Sequence, residues 1–138
     1  MLRLLAAVGL VIACTRARAD GTGWAADEKQ AFDRARAEHR GVMVELYATW
    51  CVPCEELGKK LRAPGLASEI AAKFVALRID ITDDNDKTHA ARKRYGADSL
   101  PAVVFVTLDG TTVARITRLL DDAELRAIIK RAASQLSR

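Results

Sequence analysis

A seven-residue stretch that is apolar or aromatic except for one acid, Val42-Met43-Val44-Glu45-Leu46-Tyr47-Ala48, runs through Thr49 into Trp50-Cys51-Val52-Pro53-Cys54. It has the length and composition of a buried strand. The segment that follows, Glu55-Glu56-Leu57-Gly58-Lys59-Lys60-Leu61, has acids in a first turn and lysines behind them, the charge order of a helix. A strand therefore delivers Cys51 to a helix N-terminus, and Cys54 follows one turn later. Two thiols at that spacing can open and close a disulfide in place, whereas the loop they enclose is too short to staple a fold.

The rest of the chain repeats the alternation of strand and helix. Trp24 precedes a charge-rich helical pattern over 25–39 with Ala31, Phe32, Ala35 and Ala37 as its apolar positions, ending near Gly41. Pro64 breaks or kinks the helix after Cys54. Leu66, Ile70 and Phe74 then continue a helical face until Phe74-Val75-Ala76-Leu77-Arg78-Ile79 reads as a second strand. Residues 83–87 form a polar connection, and 88–95 a short basic helix closed by Gly96. Two strands, 102–107 and 111–117, flank Asp109-Gly110 as a hairpin, and Asp121-Asp122-Ala123-Glu124 opens a last helix with Leu125, Ile128, Ile129 and Leu136 inward. This order specifies an α/β fold whose sheet has parallel and antiparallel parts and is covered by helices on both faces.

Length and charge narrow the function. At 138 residues, 50% hydrophobic and 29% charged, the chain suits one globular domain. Met1-Leu2-Arg3 followed by an unbroken apolar run to Ala13 is expected to be an export leader, too short to span a bilayer as a permanent helix. Cleavage after Ala17-Arg18-Ala19 gives a leader of residues 1–19 and a domain of 20–138. The alternative is a lipoprotein signal ending before Cys14, whose thiol would carry a lipid anchor. Without residues 1–19 the chain loses Arg3, Arg16 and Arg18 and keeps 19 basic against 18 acidic residues, a net charge of +1. No basic stripe with interleaved aromatics remains, so the sequence gives no support for nucleic-acid binding. A zinc site at Cys51 and Cys54 would need two further ligands, and His39 and His89 stand isolated with no second C-x-x-C pair. Neither metal nor cofactor is expected, and a static disulfide is the remaining alternative to redox chemistry.

Trp50-Cys51-Val52-Pro53-Cys54 after a strand, together with Ser99-Leu100-Pro101 opening a later one, resembles the thioredoxin superfamily over roughly residues 24–136. Within it, "VMVELYATWCVPC" over 42–54, the leading Trp24 and "RIDIT" over 78–82 are similar to the C-terminal periplasmic domain of the disulfide reductase DsbD. The resemblance implies a thioredoxin fold, Cys51 as attacking thiol and Cys54 as resolving thiol. It puts Glu45 where the family carries a buried acid, usually an aspartate, able to take the Cys54 proton. The other possibility is that Glu45 points to the wet face of an edge strand. It further implies a cis bond at Leu100-Pro101 whose backbone receives an extended partner peptide; a trans proline at a strand edge is the alternative. Trp50 is expected to shield the disulfide or to be an ordinary half-buried aromatic, Val52 to offer an apolar contact, and Pro53 to constrain the helix start. The implied activity is that of an exported, monomeric protein-disulfide reductase supplied with electrons by a membrane protein. A thiol oxidase and a non-catalytic module that binds clients or a metal chaperone are the competing functions.

Overall fold

The computed structural model describes residues 23–136; the expectations for residues 1–19 and for Cys14 fall on residues outside that range. The chain runs α1 (Glu28–Ala37), β1 (Gly41–Tyr47), α2 (Val52–Arg62), α3 (Pro64–Ala71), β2 (Phe74–Asp80), α4 (Asp86–Tyr95), β3 (Ala102–Val106), β4 (Thr112–Ile116) and α5 (Asp122–Ser134). The sheet order is β2-β1-β3-β4. β1 pairs with β2 in parallel and with β3 antiparallel, and β3 and β4 form the hairpin. This is the thioredoxin fold, with a mixed sheet covered on both faces.

Side-chain alternation along the strands divides the core in two. Val42, Val44 and Leu46 of β1 pack with Val75 and Leu77 of β2 against Ala31 and Ala35 of α1 and Ala91 and Tyr95 of α4. Met43, Phe74, Val103 and Phe105 point the other way, against Leu57 and Leu61 of α2, Leu66 and Ile70 of α3, and Leu125 and Ile129 of α5. Glu45 and Arg78 hold register partners on β1 and β2. Two-residue periodicity therefore puts both on the α2 side.

Several boundaries differ from the sequence reading. α1 begins at Glu28 because Ala25 is drawn into a parallel bridge with Leu77, its N–H donating to the Ala76 carbonyl at 2.7 Å, while Asp27 caps the helix by accepting from the Gln30 N–H. Ala37 is exposed and is not one of the helix's apolar contacts. The helix gives way at Glu38 and His39, and His39 takes the left-handed turn at φ 53°, so Gly41 is not its stop. α4 starts two residues earlier than expected, since Asn85 and Thr88 form a capping box. Pro64 does end the active-site helix: Ala63 is extended, and Pro64 opens α3.

Gly41 has a packing role at the start of β1. A Cβ there would lie 2.8 Å from Leu136 Cδ2 and 2.9 Å from the Phe74 ring, which is held in the core. Gly41→Ala is expected to destabilise the protein by about 1–3 kcal/mol, read as a lower denaturant midpoint with an unchanged slope.

Candidate active site

Cys51 is the N-cap of α2, and its Sγ accepts the Cys54 N–H at 3.3 Å. Proline in the first turn presets the helix start, since Pro53 lacks a hydrogen the helix could not have used there. A sulfur in that position faces unpaired amides and the positive end of the helix, which favour thiolate over thiol. Cys51 and Cys54 are joined in a disulfide with Cα atoms 5.2 Å apart. Both cysteines are buried, Cys51 at 7% exposure and Cys54 at 1%, in a small apolar cluster with Ala48, against which Tyr47 and Leu100 pack.

The expected flanking residues surround this cluster. The Leu100–Pro101 bond is cis, Pro101 is buried, and Leu100 touches the cluster. Val52 is 65% exposed beside Cys51. Trp50 is 64% exposed, more open than the half-buried aromatic of the alternative, and lines a hollow of roughly 370 Å³ with residues that include Ile81, Thr82, Asp83, Asp84 and His89. Trp50 and Val52, the exposed neighbours of Cys51 in sequence, flank the more exposed of the two cysteines. His89 pairs with Asp84 at the surface, and His39 is exposed at its turn. Among the described residues no group of three or more His, Cys, Asp or Glu side chains could hold a metal ion.

Glu45 does not lie on an edge strand, because β1 runs between β2 and β3, and it is 2% exposed. Arg78 Nε donates to its Oε2 at 3.0 Å, and Arg62 Nη1 approaches the same oxygen at 3.6 Å. The Arg78 guanidinium also lies 3.4 Å from the centroid of the Tyr47 ring, while the Tyr47 hydroxyl donates to Asp80 at 3.1 Å. Thus Tyr47, which packs against the Ala48–Cys51–Cys54 cluster, also carries on its ring the arginine that pairs with the buried acid. Burial pushes the Glu45 carboxyl above the usual carboxylate range, against the opposing pull of Arg78 and then Arg62.

Arg78, Arg62 and Tyr47 were not singled out by sequence. The available signal was the pair of lone charges, Glu45 and Arg78, each set in an otherwise apolar strand. Only the β1–β2 register shows that they meet.

The raised Glu45 value has a definite consequence for stability. An acid held above its unfolded-state value favours the fold in its protonated form; that contribution is complete below the unfolded value and is lost as pH rises through the folded one. Arg78 and Arg62 are each about a third exposed, 31% and 34%, so neither becomes a buried orphan when the acid is neutralised. Glu45→Gln is therefore expected to raise the melting temperature relative to the parent at pH 8, with the difference closing toward pH 4. A calorimetric series showing the same difference at both pH values would contradict this assignment.

Comparison with known proteins agrees with the geometry. The Thioredoxin-like domain family matches residues 28–133. The thiol:disulfide interchange protein DsbD of Yersinia pestis is 32% identical over 92 residues, covering 65% of this chain and 16% of that protein; the chain thus spans about a sixth of that relative's length. The reduced DsbD C-terminal domain of Neisseria meningitidis superposes with a TM-score of 0.66 at 25% identity, over 75% of this chain and 92% of that domain. A disulphide-isomerase candidate from Bacteroides thetaiotaomicron does so with a TM-score of 0.65 at 29% identity, over 84% and 96%. A matched domain covering most of the chain, a four-stranded mixed sheet and a disulfide from the α2 N-cap Cys51 to Cys54 together make this chain a member of the thioredoxin-like family, related to DsbD.

Proposed function

We propose that the chain is an exported thiol-disulfide oxidoreductase working in the reducing direction, passing two electrons from the Cys51–Cys54 dithiol to disulfides of partner proteins. The observation that carries this reading is the cysteine pair at the start of α2, with Cys51 as the N-cap and slightly exposed and Cys54 inside the helix and enclosed. The Cys51 thiolate attacks a partner disulfide, forming a mixed disulfide and expelling one partner sulfur as thiolate. Cys54 loses its proton to Glu45 and attacks Cys51 Sγ; the bond to the partner breaks and the second partner sulfur leaves with its electron pair. The partner gains two electrons and leaves as two thiolates that take protons from solvent, Glu45 returns its proton to solvent, and the protein is left with the Cys51–Cys54 disulfide.

Leu100, Trp50 and Val52 form the surface that receives the partner polypeptide in this reading, with buried cis-bonded Pro101 fixing the Leu100 backbone and Pro53 setting the helix start. No helix among the described residues is long and apolar enough to cross a membrane. Return of the dithiol is assigned to a separate membrane electron donor, and the protein is taken to act as a monomer in the periplasm, released from a leader at 1–19 or anchored by lipid at Cys14. The reducing direction is supported by the relation to DsbD.

The test is the reduction potential of the Cys51–Cys54 pair, measured by equilibrating the purified protein with glutathione buffers and trapping free thiols. A value near about −270 mV is expected for electron donation. One near about −120 mV would make the protein a thiol oxidase, and the absence of a redox transition would leave a binding module.

A further inference from the structure

Glu45 is held asymmetrically. Both guanidiniums approach Oε2, Arg78 at 3.0 Å and Arg62 at 3.6 Å, while Oε1 is buried and has no hydrogen-bond partner among the described residues. Oε1 is turned to α2: a Cβ built on Gly58 would lie 2.6 Å from it and 2.9 Å from Arg62 Nη1. Cys54, Leu57, Gly58 and Leu61 make up the buried face of α2, and Gly58 stands one turn beyond the enclosed cysteine. The glycine leaves the room that a carboxyl on the longer glutamate stem occupies. The charged groups facing Glu45 are Arg78 from β2 and Arg62 from α2; its register partner on β3 is the apolar Val103, and Tyr47 on its own strand reaches it through Arg78.

We propose that Arg78 and Arg62 are positioning residues that anchor Oε2 of Glu45 and so leave Oε1, turned to the active-site helix at Gly58, as the atom that takes the Cys54 proton. The proposal rests on the dithiol-exchange reading above and deepens it. Its step is the resolving one: the Cys54 S–H bond breaks, the proton goes to Oε1, and the thiolate pair forms the bond to Cys51 Sγ. The Cys51–partner bond breaks as this happens, and the leaving sulfur takes the electron pair. Tyr47 holds Arg78 in place through its ring, so the anchor is fixed by a residue that also packs against the cysteine cluster.

The reduced protein, mixed with the chromogenic aryl disulfide 5,5′-dithiobis(2-nitrobenzoate), releases one nitrothiobenzoate when Cys51 attacks and a second when Cys54 resolves the mixed disulfide; the two phases are recorded across pH. Removing an opposite charge from a carboxyl raises its proton affinity, so Arg78→Gln is expected to slow the second phase at pH 7 by about three- to tenfold. Its low-pH fall should move to higher pH, with the first phase within about twofold of the parent. Arg62→Gln should do the same to a smaller extent, and Arg78→Lys should recover much of the loss. Gly58→Ala, which presses on Oε1 itself, should slow the second phase without moving its pH midpoint to that of Arg78→Gln. Were the second-phase pH profile of folded Arg78→Gln to superimpose on the parent, the proposal would be overturned; should that variant not fold, an unshifted profile in Arg62→Gln decides against it equally. A parent that shows no second phase at any pH would instead sink the exchange reading on which the proposal stands.

Discussion

Cys54→Ser is expected to turn the protein into a covalent trap: mixed disulfides between Cys51 and partner polypeptides persist instead of resolving, and turnover falls by about 10³-fold or more. The reason is the difference between the two sulfurs. Cys51 caps α2, retains slight exposure and accepts the Cys54 N–H, so it is the sulfur a partner can meet and the one the helix end favours as a thiolate. Cys54 is enclosed and can act only on the bond that Cys51 has already made. Cys51→Ser removes the encounter itself, so it should lose turnover to the same degree and form no adduct. Incubation with a model protein disulfide, followed by non-reducing electrophoresis and mass spectrometry of the adduct, separates the two variants. Adducts forming through Cys54 in Cys51→Ser would reverse the assignment.

Phe105→Ala is expected to cost about 3–5 kcal/mol, the range for emptying an aromatic site in a packed core. For a domain of this size such a loss lowers the melting temperature by on the order of 15 °C. Phe105 is fully buried on β3, a strand with neighbours on both sides, and its ring meets Phe74 edge to face at 5.0 Å and 68°. Phe74 opens β2, and its ring also lies against Gly41. Loss of either phenylalanine therefore loosens the α2, α3 and α5 side of the core, where the active-site helix is seated. Phe74→Ala should be similarly damaging, and the double variant less damaging than the sum, by about 0.5–1.5 kcal/mol for the ring pair. Thermal unfolding of the three variants measures this; strict additivity would show that the edge-to-face contact adds nothing beyond burial.

The readable parts of the sequence were those written in local chemistry. Strand, cysteine pair and helix could be placed because apolar runs, a proline near the helix start and charges ordered along the axis all act within a few residues. Asp121 and Glu124 announced α5 in the same way, by a capping box that spans four residues. The family resemblance then supplied the cis bond at Leu100–Pro101, which local patterning alone could not distinguish from the trans alternative. Errors arose where a distant partner outweighed local preference. Ala25 fits a helix by composition, yet it bridges to Leu77, 52 residues away in sequence, and shifts the start of α1. Gly41 looked like a helix stop, whereas the Phe74 ring explains its lack of a side chain. The Glu45 site was half legible: a lone acid in an apolar strand marks a buried carboxyl, but its two arginines come from β2 and the far end of α2. Their meeting is a property of strand register and helix rotation, neither of which is encoded in any short window.

The cap on Cys51 ties redox state to heat resistance. Unfolding dissolves the helix end, so whatever free energy the α2 amides lend to a thiolate exists only in the folded reduced chain. Reduction and unfolding can then be drawn as the four sides of a thermodynamic cycle. Any preference of the fold for the dithiol must reappear as a higher melting point of the reduced form relative to the oxidised one. An oxidant is a protein whose reduced form is the sturdier. A donor must show the opposite order, so a pair of melting curves carries a record of which way the electrons run.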